Sequence, residues 1–260
     1  MRLATWNVNS VRARLDRVLA FLERSGTDVL ALQETKCRDD QFPYLPFEAA
    51  GFEVVHHGVS QWNGVAIVSR RPIRDVEVGF PGMPTWGEPA AAEARALGAT
   101  VDGVRVWSLY VPNGRTPSDP HYQYKLDWLA SLRDAAAERL AAEPGAQVAL
   151  VGDWNIAPRD EDVWDMAAFA GATHVTPAER AALAALEDVG FREVTREHTP
   201  GAYTYWDYKQ LRFPRNEGMR IDLVLASPAL AARVTGSSID RDERKGKGAS
   251  DHVPVVVDLG

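Results

Sequence analysis

The sequence predicts an α/β layered sandwich, with short β-strands in its core and helices between and outside them. Many short runs rich in β-branched residues end at Gly, Pro, Asn or Asp, which is typical of strands. A few longer segments instead carry apolar residues at helical spacing. Strands and helices that are mixed along one chain predict stacked layers of the two.

The strand predictions rest on short length, β-branched content and turn residues at the boundaries. Asp102-Gly103, between two apolar runs, indicates a hairpin. The predicted strands are Arg2–Asn7, Asp28–Gln33, Glu53–His57, Val65–Ser69, Arg74–Val78, Arg95–Val101, Val104–Tyr110, Gln147–Gly152, Tyr203–Trp206, Ile221–Leu225, Val234–Ile239 and Val253–Asp258.

Three segments predict helices. Ser10–Ser25 has apolar residues at helical spacing and is followed by Gly26 as a stop signal. Pro120–Ala142 is rich in Ala and Leu. Thr176 begins a capping box with Pro at the first helical position, which opens a helix that runs to Gly190.

Length and composition predict one domain spanning residues 1–260, because no low-complexity linker divides the chain. The 45% hydrophobic and 25% charged content is that of an ordinary soluble globular protein, and no apolar run approaches the ~18 residues of a membrane span. The first residues lack the apolar stretch of a secretory signal. Cys37 is the only cysteine, so we expect a reducing, cytoplasmic setting.

The net charge of −7 is unfavourable for binding nucleic acid, because affinity for phosphate rests on Lys and Arg. A group of acids that binds a cation, however, lowers the total charge without removing a basic patch elsewhere. Tyr208–Arg220 contains four basic residues and one acid, so it fits either a phosphate-facing loop or a solvated basic loop. The mixed charges of Asp240–Gly248 predict a mobile loop ahead of the last strand.

Short polar signatures adjoin apolar strand candidates along the whole chain. Some predicted strands come before their signature in the chain, and others come after it. If these two groups of strands run antiparallel to each other, all signatures lie at one edge of the sheets. Acids, amides and an imidazole that converge there are typical of a divalent-metal hydrolase. Two signatures contain Trp-Asn after an apolar strand, which two stacked sheets of similar connectivity would explain, although two such pairs also fit a coincidence. The signatures are Thr5-Trp6-Asn7-Val8-Asn9, Leu32-Gln33-Glu34-Thr35-Lys36, Gly152-Asp153-Trp154-Asn155, Arg220-Ile221-Asp222-Leu223 and Ser250-Asp251-His252.

Each of these residues also has an ordinary structural interpretation. Glu34 is either a metal ligand or a strand-end charge facing water, and for one Glu alone the second is favoured. Asp153 and Asn155 share a face of extended chain, which suits a base that takes a proton from water beside an amide that donates to a phosphoryl oxygen. The same two residues also fit a simple turn.

The imidazole of His252 has candidate acids on both sides. Asp251 precedes it in the chain and Asp222 starts another predicted strand, so an Asp–His pair would fix the tautomer and stabilise the charged form. Asn7 and Asn9 share a face of the first strand and could each bond a phosphate, although Asn is also an everyday turn residue.

Tyr110 ends the apolar run Val104–Leu109, just before Asn113. A phenol there could stabilise a leaving oxygen, and the Asn113 amide could hold a phosphate. An aromatic residue that caps the core is the commoner role of such a Tyr.

Together these motifs, with Tyr203-Thr204-Tyr205-Trp206-Asp207-Tyr208, resemble the exonuclease III branch of the AP endonucleases. This branch belongs to the endonuclease/exonuclease/phosphatase superfamily, which includes DNase I. The resemblance spans essentially the whole chain in the family's order. It implies a DNase I-like, four-layer α/β sandwich of two packed mixed β-sheets flanked by helices.

The activity that the resemblance implies is Mg²⁺-dependent hydrolysis of DNA phosphodiesters, with Mn²⁺ able to substitute. Typical reactions are incision 5′ to an abasic site, 3′-end cleaning and 3′→5′ exonuclease action. The expected partner is double-stranded DNA with abasic sites or blocked or recessed 3′ ends, bound by a monomer without a membrane. A phosphodiesterase for a lipid or inositol phosphate, and a catalytically silent DNA-binding relative, are the alternatives.

The resemblance also implies roles for individual residues. Glu34 would be the principal metal ligand, Asp153 would activate water or donate a proton, and Asn155 would stabilise the transition state. Asp222 would orient His252, and Tyr110 would assist the leaving group. The expected metal site contains Asn7, Glu34, Asp153, Asn155, Asp251 and His252, and the expected DNA contacts are Asn9, Arg12, Lys36, Asn113, Arg115, Tyr205, Met219 and Arg220.

Three of these positions vary within the family. Tyr205 stands where the branch places an aromatic side chain against an extrahelical deoxyribose. Met219 stands where some members insert a bulky wedge into the duplex, and an apolar side chain can act as such a wedge. Asn9 replaces the Asp ligand of some relatives, which predicts weaker metal binding.

Overall fold

Two mixed six-stranded β-sheets pack face to face in the computed structural model, which describes all residues, Met1–Gly260. Helices cover the outer face of each sheet, so the predicted four-layer α/β sandwich is confirmed. The helices are α1 (Val11–Ser25), α2 (Tyr44–Ala49), α3 (Pro120–Ala142), α4 (Pro177–Asp188), α5 (Arg212–Arg215) and α6 (Pro228–Ala231). The strands are β1 (Arg2–Asn7), β2 (Val29–Gln33), β3 (Glu53–His57), β4 (Val65–Ser69), β5 (Arg74–Val78), β6 (Ala96–Val101), β7 (Val104–Tyr110), β8 (Val148–Asp153), β9 (Arg192–Glu193), β10 (Asp222–Ala226), β11 (Val234–Ile239) and β12 (Val255–Leu259).

The strand directions bring the polar signatures to one edge of the molecule. In the first sheet, of order β11-β12-β1-β2-β4-β3, β1 is parallel to β2 and antiparallel to β12. In the second, of order β5-β6-β7-β8-β10-β9, β8 is parallel to β7 and antiparallel to β10. The strands that follow their signatures thus run opposite to those that precede them, as predicted.

The two sheets share one pattern of strand pairing, and the two strands that precede a Trp-Asn occupy equivalent positions in it. Read as β9-β10-β8-β7-β6-β5, the second sheet has the same succession of parallel and antiparallel pairs as the first. The indole nitrogen of Trp6 donates to the carbonyl of His252 at 3.1 Å, and that of Trp154 donates to Leu223 at 3.2 Å. Each indole therefore ties its strand to the chain at the start of the antiparallel neighbour.

Apolar residues fill the space between the sheets and beneath the helices. Val29, Val106 and Val151 lie in the central layer, where burial of each such side chain stabilises the fold by about 1.5–3 kcal/mol. Helix α1 covers the first sheet through its apolar face, and Gly26 ends it with a φ of 64°. Helices α3 and α4 cover the second sheet, and Trp128 of α3 is fully buried there.

Local turn chemistry sets several boundaries. The predicted hairpin is present, because Asp102 and Gly103 both have positive φ and Val101 pairs with Val104 across them. The capping box of α4 also forms, with the Thr176 hydroxyl accepting from the Glu179 amide at 3.2 Å. None of the helices combines the length and the apolar character needed to cross a bilayer.

Some sequence predictions differ from the structure. Tyr203–Trp206 is not a strand, since only Tyr205 forms isolated bridges there, and α2 and β9 are additional elements. Asp240–Gly248 was expected to be mobile, but its Glu243 is buried and bonds Arg24 at 2.8 Å and Arg17 at 3.3 Å. These ion pairs fasten the segment to α1.

Candidate active site

Three titratable side chains from separate segments converge where the strands end. One ligand atom each from Glu34, Asp153 and His252 lies within 4.8 Å of the others. The Asn7 amide lies between the two acids and donates to Glu34 at 2.8 Å and to Asp153 at 2.9 Å. A single buried amide thereby holds two carboxylates together that would otherwise repel each other.

The backbone turns sharply just after each strand to direct these side chains inward. Glu34 follows β2 with a φ of 52°, and Asn155 follows β8 with a φ of 51°. The left-handed conformation costs an ordinary residue such as Glu about 1–3 kcal/mol and is concentrated at functional sites. The Asp153 carboxylate supports the second turn by accepting a hydrogen bond from the backbone N–H of Asn155 at 2.9 Å.

His252 and Asp222 form the predicted pair. The imidazole Nδ1 lies 2.8 Å from the Asp222 carboxylate, and Nε2 lies 3.7 Å from that of Asp153. Although burial opposes the imidazolium, the charges of Asp222 and Asp153 raise the pKa of His252 to about 10. At neutral pH the ring is therefore a cation that can donate a proton or a hydrogen bond from Nε2.

The two central carboxylates have opposite pKa shifts. Burial raises the pKa of Asp153 to about 7, with the charges of Asp222 and Glu34 adding to the rise. Burial also disfavours the Glu34 carboxylate, but Lys36, 2.8 Å away, and the Asn7 amide hold its pKa below the usual value. Asp153 is thus the acid suited to exchanging a proton near neutral pH, while Glu34 stays charged.

The phenol of the half-buried Tyr110 stays protonated. Burial and the charge of Glu34 raise its pKa well above the usual value. The Arg95 guanidinium stacks over the ring with its carbon 4.7 Å from the ring centre, which holds the ring in place. A protonated phenol at the end of β7 is able to donate to an oxygen that leaves with negative charge.

The donor set fits a hard divalent cation. Glu34 and Asp153 supply carboxylate oxygens, which Mg²⁺ and Mn²⁺ prefer. His252 belongs to the same group, but an imidazolium repels a cation, so the two carboxylates are the better ligands.

Asp251 was expected among the metal ligands and lies outside this group. Its carboxylate instead accepts from the Asn9 amide at 3.0 Å. The Asn9 amide thus holds this carboxylate, whereas the next residue, His252, is the one directed to Glu34 and Asp153.

Asn155 has hydrogen-bond partners that the sequence did not indicate. Its amide nitrogen donates to the Val111 carbonyl at 3.0 Å, and its oxygen accepts from Asn113 at 3.2 Å and lies 3.1 Å from Nε2 of His174. Burial lowers the pKa of His174 to about 3, so this ring is neutral. No motif singled out His174, because it lies on the loop before α4 and reaches the site only through the fold.

Five of the expected DNA contacts, Asn9, Arg12, Lys36, Asn113 and Arg115, lie around the site. Asn9, Lys36 and Asn113 adjoin the centre, and the Lys36 ammonium bonds Glu34. Arg115 is more than half exposed, with its guanidinium carbon 5.9 Å from the Trp86 ring centre. Arg12 is exposed in a groove that also contains two residues which the sequence reasoning missed, Arg38 and Trp62.

Trp62 is 64% exposed, which is unusual for an indole. It stands beside the two guanidiniums of that groove. Cations next to an exposed aromatic face are typical of nucleic-acid-binding surfaces.

A second recess adjoins His252. It has a volume of about 230 Å³, and its lining includes Trp164, Phe169, Tyr205 and Met219. The Tyr205 ring lies 4.8 Å from the imidazole. Met219 is 8% exposed and bridges Tyr205, so it forms a wall of the recess rather than the protruding wedge that was expected.

The basic segment Tyr208–Arg220 is less positive than its composition indicates. Arg212 bonds Glu217 at 2.6 Å, and Arg215 lies 3.8 Å from the same carboxylate. Lys209 is exposed and has no ion-pair partner, so it is the side chain of this segment that stays available to a phosphate.

Arg220 was expected to contact DNA, and that prediction is wrong. Its side chain is 1% exposed, and its guanidinium donates to the Thr199 carbonyl at 2.8 Å and the Thr195 hydroxyl at 2.6 Å. The nearest carboxylate, that of Glu193, is 3.9 Å away. Arg220 therefore anchors the loop before Tyr205 from inside the protein.

Replacing Arg220 with Met is expected to lower the free energy of unfolding by about 3 kcal/mol, because buried acceptors lose their donor. Chemical denaturation checks this. The exposed Arg133→Met variant serves as the control and should change stability by no more than about 0.5 kcal/mol. An equally small effect of Arg220→Met would show that the anchor is dispensable.

Comparisons with known proteins give one consistent result. The sequence matches the family described as Endonuclease/Exonuclease/phosphatase over residues 4–252. It is 30% identical to the exodeoxyribonuclease III of Haemophilus influenzae over 98% of both chains, and 30% identical to an exodeoxyribonuclease of Bacillus subtilis over 98% of both.

Solved structures agree in fold. The 3′-5′ exonuclease NExo of Neisseria meningitidis has a TM-score of 0.93 and 37% identity, covering 100% of this chain and 99% of its own. An AP endonuclease of Archaeoglobus fulgidus has a TM-score of 0.92 and 33% identity with the same coverage. A NExo structure from Neisseria described as a 3′ phosphatase bound to a product DNA hairpin matches at 0.93 and 35%.

Proposed function

The protein belongs to the endonuclease/exonuclease/phosphatase family, and from this premise we propose that it is a DNA repair nuclease that hydrolyses phosphate esters of duplex DNA with Mg²⁺ or Mn²⁺. The observation that carries the proposal is the group of Glu34, Asp153 and His252, gathered around the Asn7 amide. Similar proteins are named as a 3′-5′ exonuclease, a 3′ phosphatase and exodeoxyribonuclease III, which supports 3′ ends of duplex DNA as the principal substrate.

Each residue of the site has one role in the hydrolysis of the phosphate ester. Asp153 takes a proton from the attacking water, whose oxygen forms a bond to phosphorus. His252 and Asn155 donate hydrogen bonds to phosphoryl oxygens as negative charge develops there. The bond from phosphorus to the leaving oxygen breaks, and the Tyr110 phenol donates to that oxygen. Glu34 and Asp153 would hold a divalent cation, which would supply positive charge to the phosphate.

Incision 5′ to an abasic site is the second candidate function. It is favoured by the aromatic recess beside His252, which is large enough for a sugar without a base. The AP endonuclease of Archaeoglobus fulgidus, at 33% identity, supports it as well. A lipid or inositol phosphate substrate has less support, because the rim offers Trp62 and guanidiniums suited to a nucleic acid.

A panel of labelled substrates tests the proposal. Duplexes with a recessed 3′ end, a 3′-phosphate or an internal abasic site, and a soluble phosphoinositide, are each incubated with Mg²⁺, with Mn²⁺ or with EDTA. We expect metal-dependent shortening or dephosphorylation of the DNA 3′ ends, with nicks at the abasic site if the second function holds. Cleavage of the phosphoinositide alone, or binding of DNA without any product, would overturn the proposal.

Replacing Asn155 with Ala is expected to lower kcat by about 10²–10³-fold, because one donor to the phosphoryl oxygen is lost. Steady-state kinetics on the recessed duplex measure it. Gln123→Ala is a suitable control, since Gln123 is exposed on α3 and its amide bonds only Asp127. A nearly normal rate in the Asn155 variant would remove this residue from the mechanism.

A further inference from the structure

A fully buried ion pair lies directly behind the site. Lys125 of α3 and Glu179 of α4 are 2.5 Å apart, and both side chains are 0% exposed. Withdrawing two charges from water is costly, and apolar side chains of similar size often stabilise such a position equally well. The pair therefore calls for an explanation beyond the packing of α3 against α4.

The Lys125 ammonium holds the backbone of two site residues. It donates to the Asn155 carbonyl at 2.6 Å and to the Asn113 carbonyl at 3.2 Å. With the Glu179 carboxylate, these bonds use all three of its donors. One cation thus connects the turns after β7 and β8, which approach the centre from adjacent strands.

The Glu179 carboxylate holds the other side of the same site. It accepts from the His174 amide at 2.9 Å and from the Thr173 hydroxyl at 2.5 Å. That hydroxyl also lies 3.0 Å from the Asn113 carbonyl. The loop that brings His174 against the Asn155 side chain is therefore fixed by the same ion pair.

These contacts determine where the Asn155 amide points. Its oxygen is held by Asn113 and adjoins His174, and one N–H is used by the Val111 carbonyl. The second N–H is the donor left for a phosphoryl oxygen. The direction of this N–H depends on the backbone of Asn155. The Asn155 carbonyl is bonded to Lys125. Its φ of 51° is unfavourable without such support.

We propose that Lys125 and Glu179 are positioning residues for hydrolysis, which fix the Asn155 and Asn113 amides in the direction that meets the substrate phosphate. This inference rests on the proposed function for its kinetic consequences. Neither residue touches the reacting atoms, so their removal should affect kcat far more than KM, and it should leave the carboxylates around Asn7 unaltered.

The test compares three variants with the wild type. Lys125→Met/Glu179→Met removes both charges and keeps the space filled, and Thr173→Val removes one hydroxyl without leaving a charge. Arg105→Met is the matched control, because Arg105 is nearly as buried and pairs with Glu77 but lies at the start of β7, at the opposite edge of the sheet. kcat and KM are measured on the recessed duplex, and the side-chain amide signals of Asn113 and Asn155 are followed by NMR.

We expect the double variant to lose about 10²-fold in kcat with little change in KM, as misplaced groups near a reacting centre typically do. Thr173→Val should show a smaller loss in the same direction, and both should shift the two amide signals. Arg105→Met should lower stability and leave kcat and the signals unchanged.

Unshifted amide signals in the double variant and in Thr173→Val would overturn the inference, whatever happens to kcat. A loss of kcat no larger than that of Arg105→Met would overturn it as well. If the double variant does not fold, the signals and kcat of Thr173→Val decide the matter. A wild type that hydrolyses no DNA would refute the proposed function, whereas the amide signals would still report whether the ion pair positions the two side chains.

Discussion

Asp153→Asn is expected to lower kcat for DNA hydrolysis by about 10³-fold, because the amide cannot take a proton from water. The substitution keeps the size of the side chain, and its oxygen can still accept from the Asn155 amide, as Asp153 does at 2.9 Å. The fold should therefore persist while the reaction stops. Single-turnover kinetics on the recessed duplex, with saturating enzyme, isolate this chemical step from DNA binding.

The exposed Asp134→Asn variant is the control for loss of one negative charge and should retain the wild-type rate. DNA affinity of the Asp153 variant should be equal to that of the wild type or higher, since a charge that repels phosphate has been removed. A rate within tenfold of the wild type would assign proton transfer to another group.

Asp222→Asn is expected to lower kcat by about 10²-fold at neutral pH and to move the alkaline limit of activity to lower pH. The active form requires the His252 imidazolium, so activity falls as pH rises through the pKa of that ring. With Asp222 charged and 2.8 Å away, this pKa is raised to about 10. Without that charge the pKa of His252 falls toward the ordinary value of an imidazole, and the loss of activity begins at lower pH.

A pH–rate profile of the two proteins, between pH 6 and about pH 10, measures the shift. Asp258→Asn is the control, because Asp258 pairs with Arg2 at the far end of β12 and should leave the profile unchanged. An alkaline limb at the same pH in the wild type and the Asp222 variant would show that the Asp–His pair does not set the charge of the site.

The central strands and the catalytic group could be predicted from the sequence because short, local sequence patterns indicate them. The bounds of β1, β4 and β7 match the prediction, since each is an apolar run that stops at turn residues. The five signatures converge because strand direction alone carries them to one edge. Glu34 and His252 are the clearest case, as both lie where a buried strand meets the site.

Other features depend on contacts between distant residues. Tyr203–Trp206 alternates like a strand, but the Thr204 hydroxyl accepts from the Ile221 and Asp222 amides and replaces the ladder with side-chain bonds. Arg220 has the composition of a phosphate contact, and only the fold encloses it. Lys125 and Glu179 lie on different helices and are 54 residues apart in the sequence. No local pattern indicates that they form an ion pair.

Binding of Mn²⁺, followed by electron paramagnetic resonance, tests most directly whether the gathered carboxylates form a metal centre. The wild type is compared with Glu34→Gln and with Glu23→Gln, which removes an exposed carboxylate of α1. We expect Glu34→Gln to weaken Mn²⁺ binding by more than about tenfold, with hydrolysis lost in parallel, and Glu23→Gln to behave as the wild type. Equal Mn²⁺ affinity in all three proteins, or DNA hydrolysis that persists in EDTA, would contradict the metal centre.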